Sequence, residues 1–168
     1  MKNNRSLTGQ RNANQELFRV SREKKDFKKA IELANENISL SKLLNSSRMK
    51  SWAYLDLFNI YYYDLYNYSV GLENLGKAME IYDGKYAASW RLSYTRRLGY
   101  AAQYQRAKEQ IQLASTSVSS TDDSLLLYYT IGELYYEMED YQIAIENYKR
   151  ATLYFTDDYH YLYKSILY

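Results

Sequence analysis

Few residues in this chain have the type and spacing that chemistry requires. Glu133 and Glu137 would share one face of a helix, and paired carboxylates can perform acid–base catalysis or hold a metal ion. No Glu-x-x-His motif accompanies them, and the single histidine, His160, stands among tyrosines. Because a solvated helix face explains the two glutamates better, we predict no catalytic residue and no metal ligand.

The other chemical signals are weaker. The glycine-containing run at 71–76 lies inside a helical pattern and lacks the preceding strand that a phosphate-binding loop needs. Cysteine is absent, which excludes disulfide and thiolate chemistry. We therefore expect no cofactor and no enzyme activity.

Composition bounds the class of protein. A chain of 168 residues with 46% hydrophobic and 25% charged residues suits one globular domain. Proline is absent, which favours an all-helical fold because proline is the strongest helix breaker. The polar N-terminus does not resemble a signal peptide, and no apolar run reaches the roughly 18 residues of a membrane span. We expect a cytoplasmic protein without membrane contact.

Charge is unevenly distributed along the chain. The net charge of +2 is too small to predict a nucleic-acid partner. Residues 1–50 carry 12 basic and 5 acidic side chains, whereas residues 121–158 carry 2 and 9. Solvated helix faces explain most of this asymmetry, but it would also steer a charged partner or favour head-to-tail contact between copies.

The chain contains an internal repeat. Residues 121–123 (Thr-Asp-Asp) recur 35 residues later at 156–158, each time between polar residues and an apolar run. Aspartate is a good helix N-cap, so both pairs predict a helix start. A period near 35 residues is typical of a unit of two helices.

The two helices of the last unit can be placed. Residues 125–137 and 141–155 have apolar side chains at helical spacing, and the link between them is short. They should therefore be antiparallel neighbours. Gly132 and Ala144 lie where a close approach would need small residues.

These residues carry a family resemblance. The last unit resembles the tetratricopeptide repeat, although Thr156 replaces the usual proline after the second helix. Earlier units share an aromatic residue followed three positions later by a small one, the small residues being at 30, 71, 107 and 144. The matching positions of the last unit are Ile131, Gly132, Tyr135, Asp140, Tyr141, Ala144, Tyr148 and Ala151.

The resemblance implies an all-α, right-handed superhelical solenoid of antiparallel helix pairs. We place a tail at 1–10 and a repeat domain at 11–168. Its units would be about 11–50, 52–86, 88–122 and 125–158, followed by a final helix at 159–168. The irregular spacing of the units is similar to that of regulatory repeat domains in larger bacterial sensors and regulators.

In this family the first helices line a concave groove that takes a peptide or helix. The resemblance therefore implies a non-catalytic scaffold that binds another protein or peptide. The co-chaperone members, which clamp a C-terminal carboxylate, are a poor match because the corresponding positions offer only one cation, Arg19. The candidate contact residues are Arg19, Arg22, Asp56, Ile60, Tyr63, Leu92, Arg96, Tyr100, Tyr129, Glu133 and Tyr136.

Tyrosine occurs 22 times, and two structural roles can explain this number. Exposed tyrosines suit a binding surface, because the ring gives a large contact area at low entropy cost. Other tyrosines occupy repeat positions that should pack in the core, namely Tyr62, Tyr68, Tyr104, Tyr135, Tyr141 and Tyr148.

Two alternatives to a protein-binding scaffold stay open. Self-association through the terminal repeats would use the opposite charges of the two ends. A glycan-binding protein of this repeat type would use aromatic rings to stack on sugars.

Overall fold

The computed structural model describes residues 4–82 and 87–155, and this part of the chain is all-α, as predicted. A π-helical turn, Ile60–Asp64, continues α3, and no strand occurs in the described ranges. The helices are α1 (Asn4–Glu23), α2 (Phe27–Leu43), α3 (Ser47–Asn59), α4 (Tyr68–Ile81), α5 (Ala87–Tyr100), α6 (Tyr104–Ser115), α7 (Thr121–Glu137) and α8 (Tyr141–Thr152).

The chain divides into two compact units. Unit 1 is Met1–Gly84 and contains α1–α4, and unit 2 is Lys85–Tyr168 and contains α5–α8. Helix α1 begins at Asn4, within the segment 1–10 that the sequence predicts to be a tail. The predicted final helix at 159–168 lies outside the described residues.

Helix pairs are the building blocks of both units. In unit 1, α1 packs on α2, α2 on α3, and α3 on α4. In unit 2, α5 packs on α6 and α7, α6 on α7, and α7 on α8. Short turns join the partners of each pair, so the two helices run antiparallel.

One backbone device closes each helix pair. After α1, Lys25 takes a left-handed conformation with φ of 60°, and the Asp26 amide donates to the Ser21 carbonyl at 2.9 Å. The Asp26 side chain then caps α2 by accepting from the Lys29 amide at 3.1 Å. This is a Schellman ending followed directly by an N-cap, so the three residues 24–26 are enough to satisfy both helix ends.

The left-handed turn recurs through both units, and a side-chain N-cap follows it at Asn67 and Asp140 but not at Gln103. Left-handed residues stand at Lys25, Tyr66, Ala102 and Glu139, between the two helices of successive pairs. They are 41, 36 and 37 residues apart, the same intervals as those between the small residues at 30, 71, 107 and 144. No described glycine takes a positive φ, so these turns bear the modest strain of left-handed non-glycine residues. The repeat predicted from side chains is therefore also present in the backbone.

Small residues allow the helices of each pair to approach closely. Ala30, Ala107 and Ala144 are almost completely buried. Gly71 is also buried, and a Cβ there would lie 2.8 Å from the Cβ of Tyr62. Any larger residue at 71 would push α4 away from the π-helical turn that holds Tyr62.

The start of α7 differs from the prediction. The helix begins at Thr121 instead of Leu125, and Ser120 is the N-cap. The Ser120 hydroxyl accepts from the Asp123 amide at 3.1 Å. Asp122 and Asp123 therefore lie in the first turn, where their charge suits the helix dipole.

Candidate partner-binding surfaces

The predicted contact residues lie on the first helix of each pair. In unit 1 they belong to α1, α3 and the π-helical turn, and in unit 2 to α5 and α7. We call the surface of unit 1 that carries these residues the α1/α3 face, and that of unit 2 the α5/α7 face.

An ion pair crosses the α1/α3 face. Arg22 Nε lies 2.5 Å from Asp64 Oδ2, and Arg22 Nη2 donates to Asp64 Oδ1 at 3.3 Å. The pair ties the end of α1 to the end of the π-helical turn, so Arg22 already has an anionic partner within the chain. Arg19 lies at the surface and pairs with Glu16 one helical turn earlier.

The π-helical turn organises a group of aromatic rings. The Leu65 amide donates to the Ile60 carbonyl at 2.9 Å, which encloses one more residue than an α-helical turn. The ring of Tyr62 lies 5.2 Å from that of Phe58 and 5.0 Å from that of Tyr63, centroid to centroid. Tyr63 remains exposed beside them, as a contact residue must be.

A cavity of about 300 Å³ opens on the α1/α3 face. Gln15 Nε2 donates to Asp56 Oδ2 at 2.9 Å and links the two helices there. The Asn37 side chain of α2 in turn donates to Gln15 Oε1 at 3.4 Å. The lining residues are Arg11, Gln15, Trp52, Leu55 and Asp56.

The charges around this cavity are unusual. Burial raises the pKa of Asp56 to about 6, although the Gln15 hydrogen bond and the charges of Arg11 and Arg22 oppose that shift. Arg11 is only 7% exposed, and its Nε has no hydrogen-bond partner among the described residues. The guanidinium carbons of Arg11 and Arg48 lie 5.7 and 4.6 Å from the centroid of the Trp52 ring.

A second ion pair crosses the α5/α7 face. Arg96 Nε lies 2.6 Å from Glu133 Oε2, at an angle unsuited to a hydrogen bond, and Arg96 Nη2 donates to Oε1 at 3.0 Å. The Tyr100 hydroxyl also donates to Oε1, at 3.3 Å. Burial raises the pKa of Glu133, and the neighbouring Arg96 and Tyr100 oppose that shift.

Tyrosines surround this ion pair. The side chains of Tyr100 and Tyr136 are 56% and 57% exposed. Tyr129 is half-buried, its ring lies 5.6 Å from that of Tyr148, and burial raises its pKa to about 12. The α5/α7 face therefore offers flat rings and hydroxyls around a charge pair that is satisfied internally.

Two predicted contact residues are not at the surface. Ile60 and Leu92 are 0% exposed, so their assignment to a binding surface is wrong. Ile60 packs in a core with Phe18 and Ala53, and Leu92 packs in another with Leu127. Both side chains face the packed helices of their own unit.

The tyrosines predicted for the core are less buried than expected. None of the six is fully buried: Tyr62, Tyr104, Tyr135 and Tyr148 are intermediate, and Tyr68 and Tyr141 are exposed. Tyr104 shows why, because its hydroxyl donates to the Glu137 carbonyl at the end of α7. The ring packs while the hydroxyl stays near the surface.

Sequence reasoning missed Arg11 and Trp52 as site residues. Arg11 precedes Gln15 by one helical turn, which predicts a shared helix face. Nothing in the sequence shows that this arginine is buried without a carboxylate partner.

No family model matches this chain, and no curated protein matches it. The likeness to tetratricopeptide repeats thus rests on the residues and on the helix pairs. Within 4–82 and 87–155, no helix is long and apolar enough to cross a membrane.

Proposed function

We propose that this chain is a non-catalytic module that binds another protein or a peptide. The observation that carries the proposal is the α5/α7 face, where Tyr100 and Tyr136 are exposed around the Arg96–Glu133 pair. Tyrosines at such positions give a large contact area and a polar tip with only two side-chain torsions to fix.

The ion pair supports this role by holding the surface in place. Tyr100 is anchored through its hydroxyl to Glu133, so part of its entropy is lost before a partner arrives. Because Arg96 already neutralises Glu133, the face does not require a partner of one particular charge. A peptide with apolar or aromatic side chains and free backbone amides would suit it.

We further propose that the chain belongs to the tetratricopeptide repeat class and forms a right-handed superhelix. The recurrence of left-handed turns and buried small residues at matching intervals supports this assignment. Small-angle X-ray scattering of the full chain tests it. An extended, curved particle is expected, and a compact globular profile would contradict the superhelix.

The binding proposal is tested by capture from source lysate, read by mass spectrometry. Wild type is compared with Tyr100→Ala/Tyr136→Ala and with a matched control, Tyr66→Ala/Tyr68→Ala, which removes two exposed tyrosines from unit 1. A protein captured by wild type and the control, but lost with the first variant, would support the α5/α7 face. Equal capture by all three would contradict that site.

Self-association is a second candidate, favoured by opposite charges at two turns. Lys24, Lys25 and Lys28 are exposed at the α1–α2 turn, and Glu139 and Asp140 are exposed at the α7–α8 turn. We expect such contacts to raise the sedimentation coefficient with concentration and to weaken with salt. A single monomeric species at all concentrations would exclude this candidate.

A further inference from the structure

We infer that the cavity on the α1/α3 face binds a carboxylate side chain of the partner through Arg11. This inference rests on the proposed binding function and assigns a second, separate contact to it. The carboxylate would belong to an aspartate or glutamate within a peptide, with its aliphatic part against Trp52 and Leu55.

Arg11 lacks a strong acceptor within residues 4–82 and 87–155 of its own chain. Its side chain is buried, and among the described residues its Nε has no hydrogen-bond partner and its one hydrogen bond is a long contact of 3.4 Å from Nη1 to Asn12 Oδ1. In the described part of the chain it forms no ion pair. Asp56 acts on this guanidinium only through space, without a hydrogen bond or an ion pair, so a ligand carboxylate would supply the acceptors that it lacks.

The cavity has the size and lining that a carboxylate side chain needs. A volume of about 300 Å³ accepts one side chain of the size of glutamate. The Trp52 ring and Leu55 supply apolar walls for its methylene groups. Gln15 is held between Asn37 and Asp56, so the polar edge of the cavity is fixed before binding.

The charges around the cavity favour a ligand with a single negative charge. Arg11 and Arg48 both lie against Trp52, whereas Asp56 is the one carboxylate that lines the cavity. An anion is therefore favoured over a cation, and a monoanion over a phosphate dianion, which Asp56 would repel more strongly. Arg22 faces Asp56 from the same helix as Arg11 but is paired with Asp64.

The site should respond to pH through Asp56. Arg11, Gln15 and Arg22 of α1 face this carboxyl group, and Asn37 of α2 holds Gln15. Since burial raises the pKa of Asp56 to about 6, its negative charge is lost as pH falls through that value. Carboxylate binding should then strengthen, while the ligand itself stays ionised above about pH 5.

Fluorescence of Trp52 provides the test. The chain has two tryptophans, and Trp90→Phe leaves Trp52 as the single reporter in the full chain. The probes are the acetylated and amidated tripeptides Ala-Glu-Ala and Ala-Gln-Ala, with acetyl-Ala-Ala-Ala bearing a free C-terminus as a third. We expect saturable binding of the glutamate peptide, at least about tenfold tighter than the glutamine peptide.

Variants locate the contact. Arg11→Met should abolish the preference for glutamate, whereas Arg48→Gln, which changes an exposed arginine on the same ring, should weaken binding by less than about threefold. Wild-type affinity should rise as pH falls from 7.5 to 5.5, and Asp56→Asn should remove that dependence. Arg11→Met should unfold at the same or a higher temperature, because it removes an unpaired buried charge.

Several results would overturn the inference. Equal affinity for the glutamate and glutamine peptides would do so, as would glutamate binding that survives Arg11→Met. A preference for the free C-terminus would replace the side-chain carboxylate with a terminal one. If Arg11→Met captures the lysate partner as well as wild type does, while Tyr100→Ala/Tyr136→Ala loses it, the proposed function stands and the carboxylate site fails.

Discussion

Gly132 of α7 lies against the ring of Tyr148 of α8. A Cβ at position 132 would be 2.6 Å from both Cδ1 and Cε1 of that ring, closer than real side-chain contacts allow. The same ring packs against Tyr129 on the α5/α7 face, and burial raises the pKa of the Tyr148 hydroxyl. The close approach of α7 and α8 therefore depends on the absence of a Cβ at position 132. The same absence lets the Tyr148 ring pack beneath Tyr129 on the α5/α7 face.

Gly132→Ala should destabilise the protein by about 1–3 kcal/mol, because the Tyr148 ring must leave its rotamer or α8 must shift. The measurement is the free energy of unfolding in urea. Gly9→Ala is the matched control, since Gly9 lies in helix α1 with nothing within 4 Å of a Cβ. That change should stabilise by roughly 0.5–1 kcal/mol through helix propensity. Equal effects of the two substitutions would contradict the close contact.

Glycine should stabilise the protein when it replaces a left-handed residue in the turns between helices. Ala102 and Glu139 have φ of 54° and 62°, where glycine avoids the steric cost of a Cβ. Ala102→Gly and Glu139→Gly should each raise the free energy of unfolding by about 0.5–1 kcal/mol. Ala13→Gly, in an exposed position of α1, should lower it by about 1 kcal/mol. Destabilisation by both turn substitutions would refute the left-handed conformation.

Asp56 predicts a pH dependence of stability. Its pKa in the folded protein is about 6 against an ordinary value of 3.8, so between these values the folded state holds more protons than the unfolded state. Stability should therefore fall as pH rises from about 4 to 6. Asp56→Asn keeps an oxygen for the Gln15 amide and should stabilise by about 1 kcal/mol at pH 7.5, with little effect at pH 4. Chemical unfolding at both pH values would show whether the difference appears with the expected sign.

The Arg96–Glu133 pair predicts a strong coupling between two residues. Their side chains are 30% and 14% exposed, so Glu133→Gln should cost about 1–2 kcal/mol by leaving Arg96 partly buried without its anion. The double variant Arg96→Met/Glu133→Gln should recover much of this loss. The exposed pair Arg19–Glu16, 69% exposed at both residues, serves as the comparison and should contribute less than about 0.5 kcal/mol. A double-mutant cycle for each pair would measure the two coupling energies.

Helix type and pairing could be predicted from the sequence because both depend on local patterns. The second helix of every pair is indicated by its apolar spacing and by the small residues at 30, 71, 107 and 144. The absence of proline indicates that no helix is broken by that residue. The start of α1 was missed because its first residues are polar, so periodicity gave no signal before Leu7.

The candidate surfaces were only partly predictable. Repeat positions correctly placed Tyr63, Tyr100 and Tyr136 at the surface, but they also placed Ile60 and Leu92 there. A repeat pattern identifies a helix face without its exact rotation, and Ile60 continues the helical stripe of Ala53 and Leu57 that is buried in the core of unit 1. The cavity beside Arg11 depends on contacts between α1 and α3, which no local pattern encodes.

The wider turn at 60–64 changes where side chains point. An α-helix rotates each residue by about 100°, and a turn with one additional residue offsets everything after it by a comparable angle. Asp64 therefore reaches Arg22 from a direction that an uninterrupted α3 would not provide. A deletion of one residue within 60–64 would therefore rotate the side chains that follow it more than it would shorten the helix. The exposed aromatic rings and the Asp64 carboxylate would then face different neighbours.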